Sequence, residues 1–188
     1  ISGTLNLHAR YQGDLSGNLK TSAKIQFKDV VFDYPQVFSS MLKPKWINID
    51  LELDGNLKEI KASQITIELP EIWVKAKGRI YGIGSKEMGM EAEAKSGPFD
   101  LSEGKKFIPY RIITSKVSGP LSRAEGRGLV QILSVKLSGK MSEIDQCDQP
   151  QNAHTLSVEM KLEKARLKLP WDLPALEDLR GHLLFKEG

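Results

Sequence analysis

Hydrophobic and polar residues alternate along most of this chain. In residues 19–27 the odd positions are mostly apolar and include Ile25 and Phe27, whereas the even positions carry lysine, serine or glutamine. Residues 46–54 repeat the pattern, with isoleucine or leucine at every odd position. Because successive side chains of a β-strand point to opposite faces, this period of two predicts strands with one buried face.

The same alternation recurs further along the chain, in residues 65–69, 72–80, 88–95 and 156–163. After Lys164 the phase slips by one position and the apolar series continues at Ala165. One extra residue in a strand predicts a β-bulge at this point. Residues 129–135 are apolar at odd and even positions alike, so we expect this strand to be covered on both faces.

Helical signals are short, one or two turns each. Residues 35–42 begin with a proline and place apolar residues at helical spacing, which predicts a small plug or cap; residues 98–107 and 174–179 are the other candidates. A recurring pattern of an apolar residue, a small or acidic residue, glycine, any residue and a second apolar residue predicts tight turns or kinks between strands. Its glycines are Gly17, Gly55, Gly119 and Gly139.

The patterns together predict a mainly β protein. We expect a long, antiparallel, strongly twisted meander sheet that forms an elongated groove or an open sandwich, with one or two short helices. The chain begins at Ile1 without a leader and stops just after a strand-like segment. We therefore interpret residues 1–188 as a single elongated β segment of a larger protein, with the region near 98–109 as the candidate sub-boundary.

Composition narrows the function classes. With 40% hydrophobic and 27% charged residues the chain can bury a core, which argues against disorder. The net charge of +3 comes from lysines and arginines interleaved with acids, so no nucleic-acid partner is predicted. Cys147 is the single cysteine and has no partner for an internal disulfide.

Catalytic motifs are missing from the sequence. The three histidines, His8, His154 and His182, have no second histidine at metal-ligand spacing, and the motifs of zinc proteases, phosphate-binding loops and serine hydrolases do not occur. Carboxylate pairs such as Glu91 and Glu93 fall on the polar side of a strand, where water would solvate them. We predict no catalytic residues, no metal and no cofactor, and hence a protein that is not an enzyme.

The apolar strand faces are the remaining candidate for a functional site. Two interpretations stay open: the faces close on each other as an ordinary core, or they remain open and take up acyl chains. In the second case the predicted groove lining is Ile47, Ile49, Leu51, Leu53, Ile65, Ile67, Leu69, Ile72, Val74, Met88, Met90, Leu156, Val158, Met160 and Leu162.

The last 25 residues, KARLKLPWDLPALEDLRGHLLFKEG, carry a resemblance to a known family. An alternating strand leads there into a Trp-Pro-Leu-Gly-Leu-Phe pattern that resembles the AsmA-like superfamily of bacterial envelope proteins, in particular its DUF3971/YhdP branch. The strand–glycine–strand texture of the first 80 residues is also similar to that superfamily. The matching residues are Leu169, Pro170, Trp171, Pro174, Leu176, Leu179, Gly181, Leu183 and Phe185.

The resemblance implies a function as well as a fold. It implies a place in the periplasm or cell envelope of a Gram-negative bacterium, in a parent protein anchored in the inner membrane by regions outside this chain. It implies a non-enzymatic lipid-binding or lipid-transfer segment for phospholipid transport or outer-membrane biogenesis. The expected partners are phospholipid acyl chains and neighbouring domains of the same parent protein.

The alternative is a structural or interaction module without a ligand, built as a closed sandwich or as a scaffold that pairs strands with its neighbours. Unpaired strands at the two edges of the sheet would also favour a homodimer formed by edge-strand pairing.

Overall fold

The computed structural model of the chain is dominated by one antiparallel β-sheet. The residues that it describes are 2–14, 17–31, 33, 35, 41–104, 106, 125–147, 149–168 and 174–186.

Within the described residues, ten strands form a single open sheet, which confirms the predicted mainly β, antiparallel architecture. The strands follow the order β1-β2-β3-β4-β5-β6-β8-β9-β10, and β7 pairs with β8 beyond the end of β6. Strands on both sides of residues 98–109 therefore belong to the same sheet. The strands are β1 Ser2–Gly13, β2 Leu19–Val31, β3 Trp46–Gly55, β4 Glu59–Glu68, β5 Trp73–Tyr81, β6 Gly89–Ser96, β7 Pro98–Asp100, β8 Glu125–Lys140, β9 Leu156–Lys168 and β10 Leu176–Lys186.

Two of the recurring glycines lie at tight turns, as predicted. Gly17 has φ +81° in the turn between β1 and β2, a conformation that costs little only without a side chain. Gly55 ends β3, and the next residue, Asn56, closes the turn when its side-chain oxygen accepts a hydrogen bond from the Lys58 N–H at 2.8 Å. The prediction is wrong at Gly139, which lies within β8. Gly119 falls outside the described residues.

The predicted β-bulge after Lys164 is present in β9. The pairing of β8 with β9 shifts register between Arg127 and Leu129, and Lys164 has φ +51°. The shift turns Ala165 toward the interior, where its side chain is fully buried. The extra residue thus keeps the apolar series of β9 on one face of the sheet.

The helices agree only in part with the sequence. Helix α1, Leu101–Gly104, falls in the predicted 98–107 region. The helix predicted at 174–179 is wrong, because β10 begins at Leu176 and pairs there with β9. Helix α2, Met141–Ile144, and a 3₁₀ helix at Pro150–Thr155 were not predicted. Most of the predicted plug at 35–42 lies outside the described residues.

Residues 129–135 are not covered on both faces, contrary to the prediction. Leu129 is 47% exposed and pairs with Asp100 and Glu163 on the charged side of the sheet. A register shift between Ile132 and Ser134 adds one residue to β8. This second bulge changes the parity of the apolar positions, which explains why both parities look apolar in the sequence.

The best-packed part of the sheet is the Phe99 cluster, which we define as Phe99, Val130, Leu162 and Ala165. Their side chains are between 0% and 9% exposed. Gly104 at the end of α1 lies directly against the Phe99 ring, where an added Cβ would overlap it. Five partly buried side chains complete the packing, namely Ile72, Leu101, Ile132, Met160 and Leu179.

Candidate functional site

The strand register collects the apolar side chains on one side of the sheet. Leu7 lies opposite Ile25, which lies opposite Ile49, and directly opposed residues in a sheet share a face. The series continues without interruption through the later strands to Leu183 on β10. We call this side the apolar face. It comprises Leu5, Leu7, Ala9, Tyr11, Ala23, Ile25, Phe27, Ile47, Ile49, Leu51, Leu53, Ile60, Ala62, Ile65, Ile67, Val74, Ala76, Gly78, Ile80, Met90, Ala92, Ala94, Phe99, Val130, Ile132, Val135, Leu137, Leu156, Val158, Met160, Leu162, Ala165, Leu179 and Leu183.

The structure brings most of the predicted lining residues together on this face, and three lie just outside the strands. Leu69 and Ile72 belong to the connection between β4 and β5, where the Leu69 N–H donates to the Ile72 carbonyl at 2.8 Å. Met88 precedes β6, and its carbonyl accepts a hydrogen bond from the Met141 N–H at 2.9 Å. The alternation in the sequence therefore identified the strands that form the apolar face. The lining predicted from it also included three residues that lie in connections between strands.

The predicted lining is not uniformly exposed. Leu162 is 5% exposed within the Phe99 cluster, and Ile47 is 8% exposed at the same end of the sheet. Leu5 and Leu7, on the edge strand β1, are 55% and 61% exposed. Leu51, at the centre of β3, is half-buried between these extremes. Two residues of the predicted lining are thus core, and the other thirteen are half-buried. The exposed Leu5 and Leu7 belong to the apolar face but were not part of the predicted lining.

Small residues form a low region in the middle of the apolar face. Ala62, Gly78 and Ala92 lie directly opposite one another on β4, β5 and β6, and Ala76 and Ala94 form the adjacent row. No side chain in these two rows extends beyond a methyl group. Larger side chains of β3 and β8, such as Leu53 and Leu137, flank the rows. We call these five residues the trough. The sequence signal was present as alanine or glycine at alternate positions of consecutive strands, but it was not assigned to the lining.

The opposite side of the sheet is charged. Arg79 makes two hydrogen bonds to the Glu91 carboxylate, at 2.9 and 3.0 Å, and a longer contact to Glu59 at 3.5 Å. Lys77 and Glu93 are paired at 3.1 Å on the same strands. We call this side the polar face. Its positive and negative side chains alternate, as is usual for a surface exposed to water.

Electrostatics on the polar face favour the charged forms of its side chains. The hydrogen bonds from Arg79 lower the pKa of the Glu91 carboxyl, and those bonds raise the pKa of the Arg79 guanidinium in return. The ammonium of Lys77 lowers the pKa of Glu93 in the same way. General acid–base catalysis at neutral pH needs a carboxyl whose pKa is raised, so these pairs are not poised for it.

Two aromatic side chains of β5 lie among these charges. The Lys75 ammonium is 5.6 Å from the centre of the Trp73 ring, and the Arg79 guanidinium is 5.3 Å from the centre of the Tyr81 ring. Both distances suit a cation–π contact at an exposed site. The polar face also has a depression of about 840 Å³, and Lys77, Arg79 and Glu93 are among the residues that line it.

The described part of the chain contains no group of three or more His, Cys, Asp or Glu side chains that could hold a metal ion. Among the same residues, no helix is long and apolar enough to cross a membrane. Comparison of the chain with models of protein families, with curated proteins and with solved structures found no match.

Proposed function

We propose that the apolar face binds phospholipid acyl chains, and that the chain is a non-enzymatic lipid-transfer segment of a larger envelope protein. The observation that carries the proposal is the continuous apolar face, which extends from β1 to β10 while the opposite face is charged. A monomeric soluble protein rarely leaves so large an apolar surface without a ligand or a partner.

The driving force would be removal of acyl chains from water. Burial of one CH₂ group contributes about 0.8 kcal/mol, so a chain of about sixteen carbons gains on the order of 10 kcal/mol before ordering costs. The trough offers a place where the chain can approach the strand backbone closely, because its side chains are no larger than methyl groups. Head groups would stay in water beside the sheet.

The cellular location that we propose is based on the resemblance of residues 154–187 to the AsmA-like superfamily. On that basis we propose the Gram-negative periplasm, with phospholipid transport or outer-membrane biogenesis as the process and the inner membrane as the anchor of the parent protein. Neighbouring domains of that parent would be its protein partners.

A direct test is native mass spectrometry of gently purified protein, followed by organic extraction and lipid analysis. We expect phospholipid to co-purify in stoichiometric amounts. Leu51→Lys places a charge at the centre of the apolar face and should abolish lipid uptake while the protein stays folded. The matched control is Gln64→Lys, which adds the same charge to the exposed polar side of the neighbouring strand β4 and should leave uptake unchanged.

The alternative is a structural or interaction module, which the dry packing of the Phe99 cluster favours. In that case the remaining apolar residues would be covered by protein. A clean apo mass, no uptake of an added fluorescent phospholipid, and unfolding of the Leu51→Lys variant would together support this alternative and contradict the lipid proposal.

A further inference from the structure

The two edge strands of the sheet differ in how well they are protected against pairing. In β10 the register shifts on both sides of Leu179, and Asp178 and Gly181 have φ of +50° and +140°. Glu177 and Arg180 add charges to the same edge. Bulges and charges are the usual means by which an edge strand avoids a further partner.

The edge strand β1 has one such irregularity, at Gly3 near its start, and lacks these protective features over the rest of its length. From Thr4 to Gly13 its pairing with β2 is regular, residue by residue. Arg10 is the single lysine, arginine, aspartate or glutamate in β1. Leu5, Leu7 and Tyr11 are 55%, 61% and 76% exposed. A long, regular edge with exposed apolar side chains presents a row of backbone N–H and C=O groups ready to pair.

We propose that β1 pairs antiparallel with β1 of a second copy of this chain, so that one sheet spans both copies. A twofold axis perpendicular to the sheet makes the two edges run antiparallel and places both apolar faces on the same side. This proposal does not depend on lipid binding.

The sequence of β1 is compatible with such self-pairing. When odd residues oppose odd residues, every apolar side chain stays on the apolar face. With Leu7 on the axis, Leu7 lies opposite Leu7 of the second copy, Leu5 lies opposite Ala9, and Thr4 lies opposite Arg10. No two like charges oppose each other in this register, so the pairing lacks the repulsion that usually rejects a wrong partner.

The test measures the mass of the lipid-free chain in solution by sedimentation or light scattering. We expect a dimer of twice 21.0 kDa. Leu7→Glu places two carboxylates next to each other at the axis and should yield a monomer. The matched control is Leu184→Glu, because Leu184 is 65% exposed on the other edge strand and should leave the dimer intact. Circular dichroism checks that both variants keep the sheet.

A second measurement does not depend on a charged variant. Oxidation of Leu7→Cys in a Cys147→Ser background should form an intermolecular disulfide, since opposed residues in a sheet are close enough to be bridged. Hydrogen exchange of the β1 amides should slow as protein concentration rises. A monomeric wild-type chain with fast-exchanging β1 amides, or a dimer broken by Leu184→Glu and not by Leu7→Glu, would overturn the proposal. Failure of lipid uptake with an intact dimer would affect only the lipid-binding proposal.

Discussion

The Phe99 cluster and the N-terminal part of the apolar face share one pattern but differ in burial. In both, apolar residues alternate with polar ones along antiparallel strands. In the cluster, α1 packs against β7 and β8, and Phe99 and Leu162 become almost inaccessible to water. The N-terminal part, which we call the N-terminal strip and define as Leu5, Leu7, Ile25, Ile49 and Leu51, remains half-buried or exposed.

This difference separates two roles that apolar residues have in one sheet. Where a second element covers the sheet, close packing stabilises the fold. Where the described residues leave the face open, the same residue types form a surface that can bind something else. We therefore expect changes in the Phe99 cluster to alter stability, and changes in the open part to alter binding.

The largest effect is expected for Phe99→Ala. Removal of a buried phenyl ring leaves a cavity and costs about 3 to 5 kcal/mol of unfolding free energy. The matched control is Tyr11→Ala, because Tyr11 is an aromatic residue that is 76% exposed on β1. Its cost should stay near 0.5 kcal/mol or less. Urea unfolding of both variants measures the difference, and equal losses would show that the comparison is wrong.

A smaller loss is expected for Gly128→Ala at the bulge beside the cluster. Gly128 has φ +105°, and an added Cβ would lie 2.5 Å from the Lys164 carbonyl oxygen. Strain of this kind costs about 1 to 3 kcal/mol. Lys164→Gly is the informative counterpart, since Lys164 itself has φ +51° and glycine adopts that conformation more easily. Thermal unfolding should place Gly128→Ala below the wild type and Lys164→Gly at or near it.

In the open part, Ala92→Leu fills the trough. The fold should change little, because the added side chain points to an uncovered surface. If it displaces about two methylene groups of a bound acyl chain, the apparent lipid affinity falls about tenfold. Ala9→Leu makes the same change on the same face but outside the trough, and should not weaken binding. Titration with a fluorescent phospholipid compares the two, and equal affinities would exclude the trough as the binding position.

The smallest effect concerns the polar face and its dependence on pH. The pKa of Glu91 is lowered by its hydrogen bonds from Arg79. A lowered native pKa contributes stability above the pKa of the unfolded chain, and this contribution is lost as pH falls through the native value. Glu91→Gln should therefore lower the thermal midpoint slightly near neutral pH, and the difference should disappear in acid, once the pH is below the native pKa of Glu91. A difference that persisted in acid would mean that the ion pair is not its cause.

Several structural details were predictable because they depend on local geometry. The alternation of β2 and β3 predicted their faces correctly, and the slip after Lys164 predicted the bulge that buries Ala165. Both follow from the fact that side chains in a strand alternate. The helix predicted after Pro174 failed, because pairing of Leu176 with β9 outweighs a weak local preference for helix.

Other details depend on residues that are distant in the sequence. Leu129 is exposed because it lies opposite Glu163 on the charged side while its neighbour Val130 is buried, and the amino-acid pattern of residues 129–135 is also that of a doubly covered strand. The trough requires that Ala62, Gly78 and Ala92 come into register on three strands. A single strand contains no information about which residue its neighbour will place opposite.

The amino-acid sequence by itself determined strands such as β2 and β3, their apolar sides and two of the turns, because backbone geometry converts a period of two directly into two faces. Only the tertiary structure decided which part of the apolar face is covered. Leu51 and Leu162 belong to the same pattern, yet Leu51 is half-buried and Leu162 is buried within the Phe99 cluster. Burial depends on whether another element packs over a strand. The alternation within the strand is the same whether the strand is covered or not.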